Sequence, residues 1–78
     1  MENERQMTDA ELAESRELDW IIREETDRLA RKLGEGYSKI VFGKFDEVCR
    51  ESREAIPDDK VAQGLRVKRR MAEELKKM

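Results

Sequence analysis

No apolar run in this chain is longer than three residues: Trp20-Ile21-Ile22 and Ile40-Val41-Phe42 are the longest, and charged, polar, glycine or proline residues break every other stretch. Such a chain has nothing near the roughly 20 apolar residues of a membrane span. Its hydrophobic surface has to be assembled from residues spaced three and four apart, the period of amphipathic helices.

Three such stripes are visible. Leu18, Ile22, Leu29 and Leu33 form the first, with Ile21 at its edge. Val41, Phe45, Val48, Ser52, Ala55 and Ile56 form the second, and Val61, Leu65, Met71, Ala72 and Leu75 the third. Local signals mark their ends. Thr8-Asp9-Ala10-Glu11 reads as a capping box, with Met7 and Leu12 at the positions of a hydrophobic staple. Gly34 is a natural left-handed stop. Pro57 ends the second segment, because the residue before a proline is pushed out of the α region. Asp58 or Asp59 can cap the third.

Tyr37 to Phe42 also has the composition of a strand, with Gly43 able to begin a turn. A lone hairpin is marginal in water, and the helical stripe continues well past Gly43. Helix is therefore the expectation. Gly43 then costs about 1 kcal/mol relative to Ala, unless another backbone packs closely there.

The expected fold is all-α: a small three-helix bundle with a long first helix. Residues 1–7 are expected to be a flexible tail and 8–78 a single helical domain. A first helix of about 25 residues rises to nearly 40 Å, more than a compact bundle of this size needs. A chain this short also has a thin core. The surplus apolar surface predicts a symmetric homodimer.

Composition narrows the chemistry. Charged residues make up 46% of the chain, yet 17 bases against 19 acids leave a net charge of only −2. With no His, the usual neutral-pH base and the commonest metal ligand are missing. The single Cys, Cys49, can form no internal disulfide and reads as a small core residue. Gly34-Glu35-Gly36 resembles a phosphate loop only superficially, since a helix precedes it and no third glycine follows in register. Neighbouring acids such as Glu24/Glu25 and Asp46/Glu47 diverge on a helix, so paired-acid catalysis is unsupported. No enzyme activity, cofactor or metal is expected. The N-terminus has no signal-peptide pattern, so a cytoplasmic location is expected.

The charges are graded. Residues 1–37 hold eleven acids and six bases, and residues 58–78 hold four acids and seven bases. The first helix is acidic and the last basic. Trp20 lies about 200° around the helix from Leu18, at 100° per residue, beside Arg16, Arg23 and Asp27. That is the composition of a protein-binding hot spot. The bland alternative packs Trp20 against another helix. Arg66, Arg69, Arg70 and Lys77 form a candidate face for nucleic acid or an acidic partner.

The leading expectation is a small helical protein-binding regulator. It would inhibit or adapt a larger host protein by surface docking, as small phage and plasmid regulators do. The alternative is a dimeric nucleic-acid-binding regulator using the basic face of the last helix.

Overall fold

The computed structural model describes residues 5–78, so the first four residues of the expected tail lie outside the described residues. Three helices follow: α1 (Asp9–Leu33), α2 (Tyr37–Ala55) and α3 (Lys60–Lys77). A 3₁₀ turn over Gly34–Gly36 joins the first two.

Each boundary has a local cause. The Glu11 amide donates to the Thr8 hydroxyl at 3.2 Å, and the Thr8 amide donates to the Glu11 carboxylate at 2.9 Å. This reciprocal box opens α1. Gly34 closes α1 at φ 65°, a left-handed conformation that favours glycine. α2 stops before Pro57, with Ile56 out of the helical region at φ −135° and ψ 74°. Asp59 supplies the α3 cap by accepting the Ala62 amide at 3.0 Å. Tyr37 to Phe42 is helical, because the stripe of Val41, Phe45, Val48 and Ser52 outweighs the local strand propensity.

α3 is the central helix. It packs along both α1 and α2, which touch each other far less. Ion pairs fix the directions. Glu14 meets Arg69 and Arg28 meets the Leu75 carbonyl, so α1 and α3 run parallel. Glu51 meets Arg70 and Lys44 meets Glu74, so α2 runs antiparallel to α3. The molecule is elongated, 43 × 25 × 20 Å, because α1 outruns its neighbours.

Leu29, Val48, Met71 and Leu75 form the closed core, with Ile22, Tyr37, Val41, Val67 and Met78 packed against it. Leu33 and Phe45, which stripe position assigns to the core, are exposed instead, as is Leu12 at the staple position. Leu12 and Leu33 sit near the two ends of the over-long α1. Phe45 faces the gap left between α1 and α2. Cys49 is only half-buried.

Ser52 is fully buried and its hydroxyl has no hydrogen-bond partner. An unsatisfied buried hydroxyl carries its full desolvation penalty. Ser52→Ala is therefore expected to stabilise the fold by about 1 kcal/mol, read as a higher urea midpoint at unchanged slope. A lower midpoint would show that the hydroxyl is satisfied in solution.

Candidate docking surface

Helix α1 carries Trp20 outward. The indole is 60% exposed, which excludes the alternative that it packs on another helix. Arg16, Asp19 and Arg23 surround it and share with it a shallow depression of about 210 Å³. Arg16 and Arg23 make no ion pair among the described residues. Asp27, the fourth residue expected here, lies one turn or more beyond, in a separate depression with Glu24, Arg28, Arg31 and Lys32.

Spacing along α1 suggests i,i+4 pairs Asp19–Arg23, Glu24–Arg28 and Asp27–Arg31, and none of them forms. Asp19 turns to Lys68 of α3 at 2.9 Å. Arg28 binds Glu25 at 2.7 Å and donates to the Leu75 carbonyl at 2.9 Å. Lys32 donates to the Met78 carbonyl at 3.1 Å. Two α1 cations thus sit on the negative end of the α3 dipole. Asp19, Arg28 and Lys32 thus reach across to α3, while Arg23, Glu24, Asp27 and Arg31 make no ion pair among the described residues.

The expected basic face of α3 is not one open surface. Arg69 is held bidentately by Glu14 of α1 at 2.6 and 2.7 Å. The adjacent Arg70 turns the other way, to Glu51 of α2 at 3.2 Å and to Glu74 at 3.2 Å. Lys77 lies 3.7 Å from Glu74. Arg66 is half-buried, with its Nε enclosed and unpartnered. Being central, α3 spends its cations on the acids of both flanking helices, leaving fewer for phosphate.

A third feature escaped the sequence reading. Between α1 and α2, over α3, an open apolar groove of about 280 Å³ is lined by Ile22, Val41, Phe42, Phe45, Val67 and Met71. Asp19 and Lys68 border it. Because Asp19 also borders the Trp20 depression, the two features adjoin. Phe42 is 67% exposed and Phe45 44%, so two large aromatics present apolar surface to water beside the groove. The available signal was Phe42 itself, an aromatic lying off the α2 stripe.

The ion pairs give the fold an acid limit. Arg5, with support from the Thr8 amide, holds the Glu11 carboxyl down to about 2. Arg69 lowers Glu14. The Ala62 amide, and then Arg5, lower Asp59. In the unfolded chain such groups titrate near 4. Between about pH 4.5 and 2 the unfolded chain therefore takes up protons that the folded chain refuses, and stability falls as pH falls. With no His, no side chain ordinarily titrates from pH 5.5 to 7.5. Melting temperature is expected to be flat over that range and to decline steadily below about pH 4.5. A melting temperature that holds from pH 7 to 2.5 would show that these contacts contribute nothing.

Among the described residues, no group of three or more His, Cys, Asp or Glu is placed to hold a metal ion. None of their helices is long and apolar enough to cross a membrane. Comparison with known proteins found no matching family model, no similar curated protein and no similar solved structure.

Proposed function

We propose that this chain is a protein-binding regulator that acts without catalysis, as a symmetric dimer, by docking α1 onto a larger protein. The observation that carries the reading is the exposed Trp20 between Arg16 and Arg23. A fold with so few large apolar residues gains by burying its only Trp, yet this one is spent on the surface. Its flanking arginines likewise make no ion pair among the described residues. Exposed Trp with Arg is the pairing richest in binding energy at protein interfaces. Asp27 extends the same helix surface toward its C-terminal end. The acidic α1 and the basic α3 then orient the partner and speed its approach.

The test compares wild type with Trp20→Ala as bait for partners from the native host. Trp20→Ala is expected to keep its melting temperature, within about 0.5 kcal/mol of stability, because an exposed side chain supports little packing. It is expected to lose about 2 kcal/mol of affinity, roughly 30-fold, for a partner that wild type retains. A variant that binds equally well, or that unfolds, overturns the assignment.

Duplex binding through Arg66, Arg69, Arg70 and Lys77 is the weaker reading, because Arg69, Arg70 and Lys77 face intramolecular acids and Arg66 is half-buried. A random duplex at low salt is the sensitive probe, since phosphate contacts strengthen steeply as salt falls. No detectable binding is expected there.

A further inference from the structure

Helix α2 carries a second stripe that the bundle does not use. Lys39, Phe42, Gly43 and Asp46 follow at i, i+3, i+4 and i+7, so they share one side of the helix. All four are exposed. Lys39 and Asp46 make no ion pair among the described residues. A Cβ on Gly43 would meet nothing within 4 Å, so no contact among the described residues calls for glycine in the middle of a helix. Phe42 forms the outer lip of the apolar groove.

We propose that this stripe is the interface with a second copy of the chain, the two α2 helices packing antiparallel about a two-fold axis between Phe42 and Gly43. Lys39 and Asp46 lie at equal distances on either side of that point, about 10 Å apart along the helix at 1.5 Å per residue. In a two-fold interface residue i meets j and j meets i. Antiparallel pairing therefore sets Lys39 of each copy beside Asp46 of the other, giving two opposite-charge pairs. Parallel pairing in register would put lysine on lysine and aspartate on aspartate, which is repulsive. Phe42 of each copy lies over Gly43 of the other, where the missing side chain lets the backbones approach. The rings then close the groove mouth and remove from water the most exposed aromatic of the fold. One short stripe thus supplies the knob, the notch and both charges, which is what self-complementarity requires and what an unrelated partner would match only by coincidence.

This interface rests on the dimeric part of the function proposed above and gives it a surface distinct from Trp20. The test is a charge-swap cycle read by sedimentation equilibrium at micromolar protein. Wild type is expected at twice 9.2 kDa. Lys39→Asp and Asp46→Lys each bring like charges together and are expected to raise the dissociation constant at least about tenfold. Lys39→Asp/Asp46→Lys restores opposite pairs and should return it to within about threefold of wild type. Circular dichroism verifies that each variant keeps its helices. A monomeric wild type overturns the dimer and the interface together. A dimer indifferent to both single reversals overturns this interface alone, with Trp20 docking still standing on its own bait experiment.

Discussion

Leu75→Ala is expected to lower stability by about 3 kcal/mol, within the range for truncating a buried leucine. Leu75 is fully buried near the end of α3, in contact with the cluster of Leu29, Val48 and Met71. It belongs to the central helix, so the cavity would open where all three helices meet. Nearby side chains have little freedom to fill it, because Leu29 and Val48 are also fully enclosed. A chain of this length has a total stability of about 4–12 kcal/mol. The loss is thus a quarter or more of the whole. At about 4–8 °C per kcal/mol for a domain this small, melting should fall by about 12–24 °C. Leu33→Ala is the matched control: Leu33 is 41% exposed and should cost under about 1 kcal/mol. Urea titration of both variants decides the matter. If the two cost the same, the core is not organised around α3.

The helix boundaries were legible because their causes are local. Thr8 and Glu11, Gly34, Pro57 and Asp59 act within three or four residues of themselves, and a sequence displays such neighbours directly. The three stripes were legible for the same reason, since helical period is a one-dimensional property. What a stripe cannot show is which helix shares its face. Period alone does not rank the helices, whereas α3 lies between the other two. Leu33 and Phe45 were misplaced for that reason: their angle on the helix is right, but both stay exposed. The i,i+4 pairs of α1 failed similarly. Spacing along one helix cannot register Lys68 of α3, which draws Asp19 across. Arg5 belongs here too. Counted with the expected tail, it donates to Glu11 at 2.7 Å and to Asp59 at 3.0 Å, joining the starts of α1 and α3.

The surfaces divide along the same line. The outward position of Trp20 followed from its angle relative to Leu18. The groove did not, because a groove is the space between elements and belongs to no single helix. The basic face was half legible: its residues lie where the wheel puts them, but their partners come from α1 and α2. Arg69 and Arg70 are adjacent in sequence and bind opposite neighbours, which only the central position of α3 explains.

Gly43→Ala/Gly64→Ala is expected to have the largest stabilising effect. Both glycines lie inside helices, at positions where a Cβ would meet nothing within 4 Å. Neither has a positive φ, so alanine fits the existing backbone. Glycine costs about 1 kcal/mol relative to alanine in a helix interior, because it surrenders more backbone freedom on folding. A backbone packed closely against Gly43 would justify the glycine, and none lies there among the described residues. The double variant should therefore gain about 2 kcal/mol and melt about 8–16 °C higher. The two sites differ once a second copy is considered. A methyl at position 64 leaves the proposed α2 interface untouched. A methyl at position 43 lies between the paired helices and pushes them apart. Gly64→Ala should thus raise the melting temperature and leave the dissociation constant alone, while Gly43→Ala raises the melting temperature and weakens the dimer. Melts across a dilution series, beside sedimentation of each single variant, separate the two effects. A Gly43→Ala that loses stability even when dilute would mean that the backbone there is not the regular, open helix described.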